Sequence, residues 1–320
     1  MRALVTGASG LVGGHLVEAL QREGADVLAC SGPGELSESF FPLDLAEPAS
    51  IRAALDVARP TVIFHLAAQT FVPDSFASPL RTYDVNAIGC ARLTQAIREY
   101  VAGGGEMPRI LFTSSAEVYG KRDPADYPLR ENLDVRPATP YAASKAAAEA
   151  MLLGEARSLG MDVVVARSFN HIGPGQSDRF VVPSFAAQLA RIAAGQPPLL
   201  EVGNLEAARD FLDVRDVVAA YLALARDGER GEVYNVCSGV AVKIRDVLRM
   251  LITIANVPVE VRDDPARMRP VDVPVFVGNA GKLAARTGWS RTISLDRSLR
   301  DIYASARDAL QRAGNAGSVS

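Results

Sequence analysis

Apolar residues in the first half of the chain fall into short runs separated by stretches of helical period. Ala3-Leu4-Val5 opens the series. It continues through Ala25-Asp26-Val27-Leu28-Ala29, Thr61-Val62-Ile63-Phe64-His65-Leu66, Arg109-Ile110-Leu111-Phe112-Thr113 and the run 161–167. Between these strands, Leu16-Val17-Glu18-Ala19-Leu20 and residues 51–58, 82–100 and 141–158 repeat with helical spacing, Ser50 being the expected N-cap of the second. Strands alternating with helices require right-handed crossovers, and these build a doubly wound parallel sheet of the α/β class. Such sheets bind ligands beyond the carboxyl ends of their strands, where several polar loops of this chain cluster.

After residue 168 the texture changes. Glycine and proline become frequent (Gly173-Pro174-Gly175, Gly195-Gln196-Pro197-Pro198), and the alternation of strand and helix becomes irregular. The expected division is a larger domain of residues 1–168 with a return segment at about 211–238, and a smaller C-terminal α/β domain of residues 169–210 and 239–311. Residues 312–320 are small and polar, and are expected to be a disordered tail.

Composition narrows the function classes. Hydrophobic residues are 48% of the 320 and charged residues 22%, which suits a globular chain with a substantial core. A net charge of −3 argues against a nucleic-acid surface, which needs clustered Lys and Arg. No run approaches the roughly 20 apolar residues of a spanning helix, so no membrane partner is expected. Met1 runs into the first apolar run without a leader pattern, and Cys30, Cys90 and Cys237 are scattered without a CxxC. A cytoplasmic protein with reduced thiols is expected. His15, His65 and His171 are too dispersed to form a metal site and read as structural.

Two constellations carry chemistry. Thr6-Gly7-Ala8-Ser9-Gly10-Leu11-Val12-Gly13 lies where a strand turns into a helix. There Gly7 permits a tight turn, Gly10 lets backbone approach a pyrophosphate, and Gly13 lets the helix pack closely on the strand. The helix N-terminus offers unpaired N–H groups to the phosphates. Tyr141-Ala142-Ala143-Ser144-Lys145 places a phenol and an ammonium one helical turn apart, a spacing at which the cation lowers the phenol pKa. With Ser115, at the end of the strand hydroxyls Thr113-Ser114-Ser115, the set suits proton transfer coupled to hydride transfer at a carbon–oxygen bond.

With these motifs the chain resembles the extended short-chain dehydrogenase/reductase family over nearly its whole length. TGASGLVG, Leu66-Ala67-Ala68, Asn86 with Gly89, SSAEVYG and YAASK occur in the family's order. The resemblance implies a Rossmann-type cofactor domain in which Gly7, Ser9, Gly10, Leu11, Val12 and Gly13 hold the pyrophosphate. Asp44 and Leu45 would flank the adenine, and Ser31, Leu66, Ala67 and Ala68 would line the rest of the cofactor. Ser115, Tyr141 and Lys145 would be catalytic, the last two also touching the cofactor. Ala29-Cys30-Ser31-Gly32 carries no carboxylate before Glu35 and no arginine for a 2′-phosphate. NADPH is therefore expected, with NADH tolerated.

Three further segments resemble family members that act on GDP-linked hexoses: Ser168-Phe169-Asn170-His171-Ile172-Gly173-Pro174-Gly175-Gln176, Gly203-Asn204-Leu205-Glu206-Ala207-Ala208-Arg209-Asp210-Phe211, and Arg269-Pro270-Val271-Asp272-Val273. Arg209 and Arg269 suit a diphosphate through bidentate bonds, Asp272 a ribose or sugar hydroxyl, and Asn170 a sugar or phosphate. Arg209-Asp210 would equally suit a surface ion pair, and Asn204 a turn. Thr70, Ser115, Glu117 and Asn204 complete the implied substrate set.

The resemblance implies reduction of the 4-keto group of GDP-4-dehydro-6-deoxy-D-mannose to GDP-D-rhamnose. The alternative is 4,6-dehydration of GDP-mannose with Glu117 as base, although the chain has Ser-Ala-Glu where dehydratases have Thr-Ser-Glu, and no arginine in residues 32–42. A non-catalytic dinucleotide-binding regulator is the remote alternative, disfavoured because Tyr141 and Lys145 are both present. The alanine-rich helix 141–158 and its neighbour 82–100 resemble the pair that family members pack into a homodimer, a tetramer being the larger alternative.

Overall fold

A computed structural model describes residues 1–33, 39–267 and 273–317, with side chains described through Ala313. The chain divides into two compact units: Met1–Phe169 with Val217–Val236 and Asn279–Ser290, and Asn170–Asp216 with Cys237–Gly278 and Arg291–Ser320.

The first unit is built on seven strands in the spatial order Val233–Val236, Val163–Ser168, Arg109–Ser115, Val62–His65, Arg2–Thr6, Asp26–Ser31, Phe41–Pro42. Every neighbouring pair is parallel. The strand order reverses between Arg2–Thr6 and Val62–His65, which is the switch point where doubly wound sheets take their ligands. Val62–His65 and Val163–Ser168 are buried along their whole length, as strands covered on both faces must be. One face packs Ile51, Leu55, Leu93, Ile97, Ala148 and Leu152 onto Leu4, Ile63, Ile110 and Val163.

Of three helical regions, two differ from the sequence pattern. Helix Pro48–Ala58 starts before Ser50, with Pro48 at its first position and Glu47 as N-cap. The Ser50 hydroxyl instead accepts from the Asp44 N–H at 2.9 Å, so it ties the helix to the preceding loop. The region 82–100 is a short helix Pro79–Tyr83, a π-turn Asp84–Ile88 and a helix Gly89–Ala102, not one continuous α-helix. The π-turn holds Asn86, whose amide is drawn into bonds with the Gln69 backbone. The third, Pro140–Leu159, has clean signals at both ends. Thr139 accepts from the Ala142 N–H at 3.0 Å, Pro140 occupies the first turn, and Gly160 ends it with φ +70°.

In the second unit the strand Ala208–Asp213 pairs in parallel with Asn170–Ile172 and Val275–Phe276, and antiparallel with Ala241–Lys243. Leu199–Val202 and Glu260–Asp263 form a separate parallel ladder. Helices Val181–Ala193, Ile244–Ala255 and Leu295–Gly317 enclose a core that includes Leu189, Leu248, Leu251, Leu299 and Ile302. Because Phe211 and Leu212 stay in register with Asn170 and His171, the return to the first unit starts at Val217, not 211. A second return, Asn279–Ser290, has no counterpart in the sequence expectation. The last helix continues to Gly317, so the segment from Arg312 is helical for most of the length expected to be disordered.

Asp210 knots this unit together. Fully buried, its carboxylate accepts from the Ser238 N–H (2.7 Å), the Ser238 hydroxyl (2.6 Å), the Gly239 N–H (2.9 Å) and the Gly278 N–H (3.3 Å). Burial raises its pKa above the usual range and these four donors oppose the rise. Asp210→Asn turns an amide NH2 toward N–H donors, and is expected to lower the unfolding free energy by about 2–3 kcal/mol in urea titrations. A variant as stable as the parent would exclude this role.

Candidate active site

The glycine turn is shaped by close contacts. Gly7 has φ +70°, and a Cβ there would lie 2.8 Å from the Ala67 nitrogen. A Cβ on Gly13 would lie 2.2 Å from the Gly7 carbonyl oxygen, so only glycine lets helix Leu11–Arg22 sit against the strand that feeds it. Gly10 is the helix N-cap and supplies no side-chain cap to the first turn, the arrangement in which first-turn N–H groups can serve an anion. The cradle fits a dinucleotide pyrophosphate. On the neighbouring loops, Leu45 is buried against Gly89, where a Cβ would meet the Leu45 Cβ at 3.0 Å, and the Asp44 carboxylate caps the Ala46 N–H at 2.8 Å. Ser31 is buried, Leu66, Ala67 and Ala68 are half-buried, and Thr70 is exposed.

A chain of hydrogen bonds crosses the strand ends. The Thr6 hydroxyl accepts from the Ala67 N–H at 3.1 Å and lies 2.9 Å from His65 Nδ1. Thr113 Oγ1 donates to the His65 carbonyl at 3.0 Å, and Lys145 Nζ donates to the Thr113 carbonyl at 2.8 Å. Burial, and then the Lys145 charge, push the His65 pKa down to about 3, so its imidazole is neutral. Burial likewise lowers Lys145 to about 8, and its ammonium lies 5.0 Å from the centre of the Phe112 ring.

Tyr141 is half-buried and hydrogen-bonded to Ser115. Burial first, then the Glu117 charge, raise its pKa well above the ordinary phenol value, with the Ser115 bond opposing them. The expected depression by Lys145 is not seen: burial and the Glu117 carboxylate, both of which penalise phenolate, set the direction. The phenol stays protonated at neutral pH, which is the state a general acid needs. Ser115 also accepts from the Glu117 N–H at 3.2 Å as cap of the turn Ala116–Tyr119. Asn86 also seats the helix, through Ser144. Nδ2 donates to Ser144 Oγ at 2.9 Å, and Ser144 Oγ donates to the Tyr141 carbonyl at 2.7 Å.

The sequence reading missed several links in this assembly. Thr6 opens the glycine motif, Thr113 is among the strand hydroxyls and His65 reads as structural, yet nothing along the chain links the three to one another or to Lys145. Glu149 and Arg167, a buried ion pair beside Ser114, had one available signal: Glu149 extends the spacing of four set by Tyr141 and Lys145.

In the second unit Asn170 is exposed on its strand. Asn204 is exposed and caps the Glu206 N–H at 2.9 Å, the turn-forming arrangement. Arg209 is half-buried, and its Nη1 donates to the carbonyls of Ala208 (2.8 Å) and Val273 (2.6 Å). Asp210 points instead into its own buried knot, so the surface ion pair considered for these two residues does not form. Arg269, Asp272 and Glu35 lie outside the described residues. Among the described residues no group of His, Cys, Asp or Glu is arranged to hold a metal, and no helix is long and apolar enough to cross a membrane.

The Rossmann-type sheet, the glycine cradle and the Ser115–Tyr141–Lys145 cluster define an NAD(P)-dependent nucleotide-sugar oxidoreductase of the extended short-chain dehydrogenase/reductase type. The chain belongs to the GDP-mannose 4,6 dehydratase family, whose profile matches residues 4–302. It is 43% identical over 302 residues to GDP-6-deoxy-D-mannose reductase of Pseudomonas aeruginosa, covering 94% of this chain and 95% of that one. GDP-6-deoxy-D-talose 4-dehydrogenase of Aggregatibacter actinomycetemcomitans is 31% identical, covering 95% of this chain and 97% of its own length. Among solved structures, RMD from Pseudomonas aeruginosa complexed with NADPH superposes with a TM-score of 0.85 at 40% identity, covering 97% of this chain and all of that one. The NAD complex of Thermus thermophilus UDP-glucose 4-epimerase gives the same TM-score and coverage at 31% identity.

The depressed pKa of Lys145 has a measurable consequence. Above about pH 8 the native state has released a proton that the unfolded chain keeps until about 10.5, so this group adds stability as pH rises across that window. The stability of the ligand-free protein relative to Lys145→Met should therefore increase by about 3 kcal/mol between those limits, at 1.36 kcal/mol per pH unit. A difference independent of pH would show that Lys145 is not desolvated.

Proposed function

We propose that this chain reduces the C4 carbonyl of GDP-4-dehydro-6-deoxy-D-mannose, giving GDP-D-rhamnose, with NADPH as the preferred reductant and NADH accepted. The observation that carries the reading is the Tyr141 phenol, bonded to Ser115 and held protonated. The reductase relative and the NADPH-bound neighbour support it. A bound reduced nicotinamide supplies the hydride. Ser115 orients the carbonyl oxygen, and Tyr141 donates its proton to the alkoxide formed at C4. Lys145, fixed by the Thr113 carbonyl, places its charge beside the phenol, holds the nicotinamide ribose and favours proton release as the alkoxide forms. Gly7, Ser9, Gly10, Leu11, Val12 and Gly13 hold the pyrophosphate. Ser31, Asp44, Leu45, Leu66, Ala67 and Ala68 line the remainder of the cofactor. Thr70, Asn170, Asn204, Arg209, Arg269 and Asp272 bind the GDP-sugar, the arginines at its diphosphate.

Dehydration of GDP-mannose is the second reading. It rests on Glu117, whose charge acts directly on Tyr141, as a base for the C5 proton. We also propose a cytoplasmic homodimer. Leu80 (84% exposed), Ile88 (49%), Phe76 (44%) and Tyr83 (37%) cluster in residues 72–88, beside the helices Gly89–Ala102 and Pro140–Leu159. Burying them against a second copy removes apolar surface from water.

Two incubations separate the activities. Purified protein with GDP-4-dehydro-6-deoxy-D-mannose and NADPH should oxidise NADPH stoichiometrically and yield GDP-D-rhamnose by NMR. GDP-mannose alone should be unchanged, and a 4-keto product from it would replace reduction by dehydration. Tyr141→Phe should lower kcat by about 1000-fold while NADPH still binds. Arg209→Ala should raise KM for the GDP-sugar by about tenfold or more with Tm nearly unchanged, as for a lost charge-assisted phosphate bond. A lowered Tm with unchanged KM would make Arg209 a structural tie to Ala208 and Val273.

A further inference from the structure

The helix Pro140–Leu159 carries Tyr141, Lys145 and Glu149 at intervals of four, hence in one stripe along its axis. Three consecutive residues of the strand Arg109–Ser115 hold that stripe. Ser115 bonds Tyr141, the Thr113 carbonyl accepts from Lys145, and Ser114 Oγ donates to Glu149 Oε2 at 2.8 Å. Glu149 is 3% exposed, and its carboxylate is also gripped by Arg167, whose Nε lies 3.1 Å from both oxygens. Arg167 stands opposite Ser114 on the adjacent strand, and its guanidinium lies 4.7 Å from the centre of the Tyr119 ring. The Tyr119 hydroxyl donates in turn to Asn235 Oδ1 at 2.7 Å.

A buried ion pair is a poor way to gain stability, because desolvation offsets its attraction and a well-packed apolar pair does as well. Its advantage is direction. Apolar side chains at 149 and 167 would press the helix to the sheet yet let it slide, whereas a carboxylate shared by Ser114 and Arg167 admits one register. We propose that Glu149, clamped by Ser114 and Arg167, is a positioning residue. It sets the height of Tyr141 and Lys145 against Ser115, and thereby the alignment of acid and substrate oxygen in the transition state. This rests on the reading of Tyr141 as the acid. Glu149 itself touches neither substrate nor cofactor in this role, so its loss acts on kcat more than on binding.

The test compares the full-length enzyme with the double variant Glu149→Leu/Arg167→Met, which removes both charges and leaves no unpaired one. Ser114→Ala, which keeps the ion pair, and Tyr141→Phe are measured alongside. The double variant is expected to unfold cooperatively, with kcat down by about 30- to 100-fold, the scale of a misplacement near 1 Å. KM for the keto-sugar and NADPH affinity should stay within about threefold, the signature of an interaction used only in the transition state. A folded double variant with kcat within about twofold of the parent, or one altered only in KM, overturns the proposal. Should the double variant fail to fold, Ser114→Ala decides. A kcat lowered about fivefold or more at nearly unchanged Tm supports positioning, and an unchanged kcat overturns it. Normal turnover by Tyr141→Phe would remove the acid assignment itself. An inactive Tyr141→Phe beside fully active Glu149 and Ser114 variants would remove only the positioning role.

Discussion

The first unit depends on satisfying polar groups at the carboxyl ends of buried strands. Parallel strands covered by helices on both faces end in carbonyls and hydroxyls that water does not reach freely, and an unpaired group there costs about 1–3 kcal/mol. Thr6, His65, Thr113 and Lys145 meet that requirement as one connected chain across three neighbouring strands and the helix behind them. Its consequence is functional. The same bonds bring an ammonium under the site, where burial keeps His65 neutral and leaves Lys145 easier to deprotonate than a surface lysine.

The acid in the site is tuned by the opposing pulls that govern any buried phenol. Desolvation and the Glu117 carboxylate hold the proton on Tyr141, while Ser115 favours its release. An acid must keep its proton until charge develops on the substrate oxygen, and this balance does so before the alkoxide appears. Ser144, on the same helix, is held by Asn86 and bonds the Tyr141 carbonyl, so the tyrosine backbone is fixed as well as its side chain. The second unit solves a similar problem with one carboxylate. Asp210 gathers donors from Ser238, Gly239 and Gly278, and its neighbour Arg209, on the alternate face of the strand, is braced by the carbonyls of Ala208 and Val273.

Much of this was legible along the chain. The alternation of apolar runs and helical periods specified a doubly wound sheet, because each pattern buries only one kind of element against the other. Gly7 is required by its own φ of +70°, and a Cβ on Gly13 would strike the nearby backbone of Gly7 and Ala8, so both signals are local. Tyr141 and Lys145 share a face by helical periodicity alone. Thr139-Pro140 and Gly160 mark the helix ends through capping chemistry that acts within one turn.

What the sequence by itself determined is therefore the set of features whose physics acts over a few residues: strand and helix periods, tight turns, caps, and the phenol–ammonium pair. Tertiary structure decided the rest. Ser50 became a tie to Asp44, and Asn86 entered a π-turn because the Gln69 backbone was there to receive it. Glu149 found Arg167 and Ser114, and the chain returned twice to the first unit, at Val217–Val236 and Asn279–Ser290. These outcomes share one cause. A buried polar group takes whichever partner the packed elements bring within about 3 Å, and that partner lies 6 residues away for Ser50, 17 for Asn86, and 18 and 35 for the two partners of Glu149.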